Sequence, residues 1–153
     1  MRVTGIEGRQ PTDKLKVSIA YRAGYKAVGT LVYAWPDALA KAQRADRVLR
    51  ERMERARLTL DAIVTEYVGA SACHGPLVPP RDDHPEVQLR IGVRSEDEES
   101  VERFTREIAP LVLNGPPSVT GFAGGRPKVD EIVAYWPALI GKNVVRPVVD
   151  ILT

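Results

Sequence analysis

The chain's two histidines stand ten residues apart in one segment, GASACHGPLVPPRDDHP (residues 69–85), and His74 directly follows the only cysteine, Cys73. A thiol with an imidazole can form a thiolate nucleophile. Residues adjacent in sequence seldom face each other, however, and no third group stands ready to orient the ring, so Cys73 reads as an inert thiol. His74 is then the group left to act. On a loop ahead of Gly75-Pro76, its imidazole is placed to give or take a proton near neutral pH. Metal ligation has weaker support. Asp82-Asp83-His84 lacks a second histidine at helical spacing, and Glu96-Asp97-Glu98-Glu99 is accounted for by the preference for acids at the positive end of a helix, so no metal is expected.

A second stretch, LVLNGPPSVTGFAGGRP (residues 111–127), holds four of the twelve glycines and three of the twelve prolines. A Walker-type phosphate loop would end in Lys-Ser or Lys-Thr at a helix start, and a dinucleotide fingerprint would run from a strand into a helix. This stretch does neither, since it follows a predicted helix and leads to a predicted strand. Two readings stay open. Either it is a bare connector, or Gly121, Gly124 and Gly125 let the backbone come close to an anion that Arg126 attracts. In the second case the Gly124 and Gly125 N–H groups stabilise negative charge and the Asn114 amide polarises a carbonyl.

Both stretches need elements to hold them. Leu15, Val17, Ile19 and Tyr21 alternate with Lys14, Lys16, Ser18 and Ala20, the period of a strand with one buried face. Arg22-Ala23-Gly24 supplies a turn, and YKAVGTLVYA (residues 25–34) a second strand paired to the first as a hairpin. Trp35-Pro36-Asp37 ends it, with Pro36 suited to a first helical turn. Ala38, Ala42, Ala45, Leu49, Met53 and Ala56 then draw a helical stripe whose alanines permit close approach to a sheet. LTLDAIVTEYV (residues 58–68) reads as the next strand, and residues 69–85 as a loop of a length that is often functional. Val87, Leu89, Ile91 and Val93 mark a strand with one wet face, and Ser95 with Glu98 matches a capping box. Val101, Phe104, Ile108 and Leu111 form a helical stripe that Pro110 must kink or end. Residues 129–136 are predicted as a last core strand and 144–152 as a short edge strand limited by Pro147.

This order predicts an α+β fold: a ferredoxin-like split β-α-β sandwich with an extra N-terminal strand and two helices on one face of a mainly antiparallel sheet. The extra strand competes with another for the place beside residues 25–34, so the strand order stays open. With 153 residues, of which 44% are apolar, the chain suits one domain over residues 1–153. No run of eighteen apolar residues is present, which argues against a membrane span. The start, MRVTGIEGRQPTDK, has no signal-like apolar run, and one cysteine forms no internal disulfide, so the cytoplasm is expected. A net charge of +2 does not imply a nucleic-acid partner. The segment KAQRADRVLRERMERAR (residues 41–57) carries seven Lys or Arg against three acids and reads as a solvated helix face.

The segments GRQPTDKLKVSIAYRAGYKAVGTLVYAWPDALAKA, ACHGPL, EVQLRIGVRS, LVLNGPP with its glycine run, and AYWPALI, in that order, resemble the acyclic terpene utilisation (AtuA-like) family. The resemblance runs over nearly the whole chain and over the later part of the family's core. His74-Gly75 and Asn114-Gly115-Pro116 fall where the family pattern has His-Gly and Asn-Gly-Pro. The chain departs in Ala72-Cys73 before the histidine and in the looser SVTGFAGG. What the resemblance implies is bacterial catabolism of citronellol- and geraniol-type terpenoids through CoA thioesters. It implies a small subunit, or an isolated later region, acting on an acyl-CoA or carboxylate substrate. No cofactor is expected beyond the CoA of a thioester, and a second polypeptide supplies the rest of the core in a hetero- or homo-oligomer. His74 and Asn114 are the candidate catalytic residues, and Gly115, Gly121, Gly124, Gly125 and Arg126 the candidate substrate contacts. The competing expectation is a noncatalytic interaction module, because ferredoxin-like sandwiches also bind partners through a sheet face or edge.

Overall fold

The computed structural model describes residues 1–77, 79, 81, 83–122 and 124–151. Two compact units divide the chain: Arg22–Ile132, and Met1–Tyr21 with Val133–Thr153. The strands β1 (Lys14–Ala34) and β5 (Asp130–Gly141) each give residues to both.

Within Arg22–Ile132, β1 is followed by α1 (Ala38–Arg55), β2 (Ala62–Val68), β3 (Glu86–Ser95), α2 (Glu98–Ile108), the single turn α3 (Leu111–Asn114) and β4 (Val119–Gly121). The strands lie in the order β2-β3-β1-β4, with β5 paired to β1 off this path. β1 pairs antiparallel with β3 from Tyr25↔Ser95 to Ala34↔Glu86, and with β4 from Leu31↔Gly121 to Tyr33↔Val119. β2 pairs antiparallel with β3 from Ala62↔Arg94 to Val68↔Gln88. The halves β1-α1-β2 and β3-α2-β4 thus interleave with β1 and β3 central, which is the split arrangement of an α+β ferredoxin-like sandwich.

Residues 14–21, predicted from their alternation, and 25–34, predicted from their β-branched and aromatic content, are both extended, but the hairpin between them is absent: β1 is one strand of 21 residues. Gly24 takes a φ of 89°, and a Cβ there would stand 2.6 Å from the Ser95 carbonyl oxygen. Glycine therefore lets β1 pass tight against the end of β3 without reversing. Residues 14–21 lengthen β1 instead of adding a neighbour, and the conflict over strand order disappears.

Ala27, Leu31 and Tyr33 of β1 with Val87, Leu89, Ile91 and Val93 of β3 are buried at a period of two, and α1 and α2 both pack on β3. The α1 stripe Ala38, Ala42, Ala45, Leu49 and Met53 and the α2 stripe Val101, Phe104 and Ile108 complete the core. Phe104 is fully buried, a burial that stabilises by about 2–3 kcal/mol.

Polar groups fix these layers against one another. Buried Asp46, on α1, accepts from Arg50 Nε (3.0 Å), Thr65 Oγ1 (2.9 Å) and Tyr67 Oη (3.4 Å), and Arg50 Nη2 donates to Thr65 Oγ1 (2.7 Å). Part of the basic helix face is thereby tied to β2. The predicted Ser95–Glu98 capping box does not form. Asp97 caps α2, accepting from the Glu99 N–H (3.2 Å) and the Ser100 hydroxyl (2.6 Å). The Ser100 bond is the largest reason the Asp97 carboxyl titrates below its ordinary value. Ser95 closes β3 instead: it donates to the Thr59 carbonyl (2.6 Å) and accepts from the Asp97 N–H (3.0 Å). Asp97 and Ser100 carry the same three-residue spacing two positions later, and the helix start follows them.

Other predicted boundaries also shift. Asp37, with a φ of 58°, is the N-cap of α1, so the left-handed backbone there leaves Pro36 ahead of the helix and not in its first turn. The predicted core strand at 129–136 is β5, which runs on to Gly141 with Val133, Tyr135, Trp136 and Leu139 exposed. The described part of 144–152 contains the end of a 3₁₀ turn, Lys142–Val144, and no strand; Leu152 lies outside the described residues.

Tyr33 leads to a stability prediction. Its buried hydroxyl has no hydrogen-bond partner among the described residues, and burial pushes the phenol from 10.0 up to about 12. Tyr33→Phe is expected to stabilise the protein by about 1 kcal/mol, because an unpaired buried hydroxyl costs about 1–3 kcal/mol. The raised value also sets a pH dependence. The folded chain holds this proton more tightly than the unfolded chain, so the contribution is intact below the unfolded value of 10.0 and is lost as pH rises toward about 12. Urea denaturation at about pH 8 and about pH 11 checks both statements: wild type should lose more stability across that interval than Tyr33→Phe.

Candidate functional site

β2 and β3 pair out to Val68↔Gln88, so residues 69–85 form the closed end of a long hairpin. Gly69, at a φ of 98°, opens the loop where a Cβ would stand 3.1 Å from the Glu86 carbonyl oxygen. The N–H groups of Ala70 (3.1 Å), Ser71 (3.1 Å) and Ala72 (3.3 Å) all donate to the Tyr67 carbonyl, which coils the chain before the 3₁₀ turn Gly75–Leu77. At the far end the Trp35 N–H donates to the Pro85 carbonyl (2.8 Å) and pins the loop to the end of β1.

Between this loop and the start of α1 lies a cavity of about 820 Å³. Leu39, Ala70, Pro76, Pro79 and Pro85 supply apolar wall, and His74, Arg81, Asp83 and His84 supply polar groups. That volume lies in the range of small-molecule sites, which are mostly apolar with a few polar groups to orient the ligand. His84 is buried at 8% exposure, and its ring makes no hydrogen bond to another described residue. Arg81 Nη2 meets Asp83 Oδ1 at 3.5 Å with both side chains exposed, a loose contact that an incoming anion can replace. Cys73 is exposed and is not a wall residue. Asp82 lies outside the described residues, and among those described no group of His, Cys, Asp and Glu is placed to hold a metal ion.

The structure brings His74 together with His84 but not with the other predicted site residues. Asn114 ends α3 and is exposed, and the chain reaches β4 on the opposite edge of the sheet from β2. Because Tyr33 pairs with both Val87 and Val119, residues 114–118 share the cavity's end of the sheet. With β3 and β1 between β2 and β4, the two edges stand roughly 14 Å apart. Gly115 is needed sterically, since a Cβ would collide with the Leu111 carbonyl oxygen. Gly121 is part of β4, so the glycine-rich stretch is in part an edge strand. Gly124 and Gly125 have φ of 91° and 90° with open space around each Cβ position, and glycine is required there for backbone conformation. The Gly125 N–H donates to the Phe122 carbonyl (3.0 Å) and is already satisfied within the turn. Arg126 is exposed.

Sequence reasoning missed polar residues of the cavity: His84, weighed only as a metal ligand, and Arg81, not weighed as a site residue. The available signal was topological: a loop joining two paired strands must bring both of its ends, and so both histidines, near one place.

Taken together, the interleaved strand order and the open cavity beside the β2–β3 loop define a ferredoxin-like α+β protein with a ligand-sized cavity at one end of its sheet. Residues 1–151 match the model of the family described as acyclic terpene utilisation family protein AtuA. The chain belongs to the AtuA family. Among solved structures, it is similar to the de novo designed protein Ferredog-Diesel, at 20% identity and a TM-score of 0.38, over 72% of this chain and 88% of that one. It is also similar to a second de novo design with a ferredoxin fold, determined by solution NMR, at 16% identity and a TM-score of 0.33, over 72% of this chain and 85% of that one. No curated protein matches. No helix among the described residues is long and apolar enough to cross a membrane.

Proposed function

We propose that the cavity binds a branched apolar acyl compound, as a free carboxylate or a CoA thioester, and that the chain acts as one part of an AtuA-family assembly in acyclic terpene utilisation. The observation that carries this reading is the composition of the cavity wall, in which prolines, Leu39 and Ala70 stand with two imidazoles, the Arg81 guanidinium and the Asp83 carboxylate. The apolar surface suits a terpenoid chain. Arg81 suits its carboxylate or a CoA phosphate, because a guanidinium matches either geometry. Buried His84 is placed to donate to a carbonyl oxygen, and His74 to carry the proton. Exposed Asn114, Gly124 and Arg126 are assigned in this reading to a second polypeptide that completes the assembly.

Calorimetric titration of the full chain with citronellic acid and with its CoA thioester tests the proposal. Binding is expected for wild type and about tenfold weaker binding for His84→Ala, the loss of roughly one charge-free hydrogen bond. Arg81→Ala is expected to weaken the free acid as well. Unchanged binding in both variants, or none in wild type, removes the cavity from the reading. In the reconstituted assembly, loss of turnover by His74→Ala with complex formation intact excludes the noncatalytic module.

A further inference from the structure

The cavity wall is uneven in depth. Leu39, Ala70 and His84 form a floor: Leu39 and Ala70 are half-buried and packed against the hydrophobic core, and His84 is buried. The other described wall residues, among them His74, Arg81 and Asp83, are exposed and form a rim. The guanidinium and the carboxylate thus stand at the rim, while the floor holds hydrocarbon and one imidazole. A charged head group loses its hydration if it is carried down to such a floor, whereas an alkyl group gains by leaving water. A ligand with both parts therefore enters alkyl end first and keeps its charge at the rim.

Leu39 differs from the rest of this wall in what holds it. Among the described wall residues it alone lies outside the loop of residues 69–85. It stands in the first turn of α1, where the Lys41 N–H donates to the Asp37 carbonyl (2.9 Å), and Ala38 and Ala42 on either side of it along the helix are buried in the core. The packed α1 stripe fixes the backbone that carries Leu39. A close-packed interior does not admit an extra methylene without strain, so Leu39 has no room to retreat into the core ahead of a longer ligand. Ala70, the other hydrocarbon of the floor, contributes a single methyl group, and its N–H is tied to the Tyr67 carbonyl (3.1 Å). Leu39 is therefore the bulky aliphatic side chain of the floor.

We infer that Leu39 is the specificity-determining residue of the cavity: its side chain is the stop that the alkyl end of the ligand meets, and it sets the longest acyl chain the cavity takes. This assignment rests on the reading of the cavity as an acyl site. Calorimetric titration of the full chain with iso-branched carboxylic acids, lengthened one methylene at a time from isovaleric acid, tests it. With wild type, affinity is expected to rise about fourfold for each added methylene, the value of burying one, and to stop rising at a definite length. Leu39→Ala removes the branch beyond Cβ and is expected to move that break to acids about two or three methylenes longer. Leu39→Phe should move it to shorter ones. Leu39→Val, with a smaller loss of volume, should move it by about one methylene and carries the test if the alanine variant loses cooperative urea unfolding. A leucine that only supported the core would, when truncated, weaken every acid by the same factor and leave the break where it is. That result, in variants that unfold cooperatively, overturns the assignment of Leu39 and leaves the acyl site standing. A wild type that binds no acid of the series overturns both.

Discussion

Asp46→Ala is expected to lower stability by about 2–3 kcal/mol, a large fraction of what a domain of this size possesses. Three donors converge on the Asp46 carboxylate, from Arg50, Thr65 and Tyr67. Its removal leaves two hydroxyls and a guanidinium at the α1–β2 contact without their acceptor. The full cost of breaking a buried ion pair, about 3–5 kcal/mol, does not apply, because the Arg50 side chain is 42% exposed and can return to water. Asp46→Asn keeps an acceptor while losing the charge, and about half the loss is expected. Urea denaturation of the three proteins measures this. Tyr67 gives a second reading. Burial first, and then the Asp46 charge, raise its phenol above 10.0, so Asp46→Asn should move the tyrosine titration downward. A cost below about 0.5 kcal/mol for Asp46→Ala would mean that the network adds nothing beyond what water supplies.

Gly24→Ala is expected to cost about 3 kcal/mol, from two separable sources. An alanine at a φ of 89° is strained wherever it stands, and here its Cβ would also lie 2.6 Å from a backbone oxygen of Ser95 that cannot rotate away. Gly124 separates the two. Its φ is 91° but nothing lies within 4 Å of its Cβ position, so Gly124→Ala should show the conformational part alone, about 1–2 kcal/mol. Thermal and urea unfolding of both variants give the difference, which reports how tightly β1 crosses the end of β3. Equal losses in the two would remove the close approach from the account.

Gly24 also shows why part of the fold was legible in the sequence and part was not. Ahead of it the alternation of residues 14–21 marked one half of β1, and after it the β-branched and aromatic content of residues 25–34 marked the other. A glycine that turns the chain and a glycine that passes another strand look alike, and only the position of Ser95 distinguishes them. β3 was readable because its second face is wet. β5 was misplaced in the core because its residues are apolar without being covered by the described residues, and composition reports the preference for burial and not its fulfilment. β4 has three residues, too few for any period to show. At the cavity, His74 stood out through its loop, whereas His84 needed the pairing of β2 with β3 to be known first.

That pairing has an evolutionary consequence. The loop of residues 69–85 is held at both ends, by the β2–β3 ladder and by the Trp35–Pro85 bond, and the sheet makes no demand on what lies between. Loop closure entropy grows slowly, about 0.6 kcal/mol for each doubling of length, so insertions between the closely packed Gly69 and the buried His84 cost little for folding. Mutation can therefore explore the shape and polarity of the cavity while the scaffold stays above its stability threshold. In such an architecture a change of ligand is reached by small, individually tolerated steps, and drift in the loop becomes the raw material of new specificity.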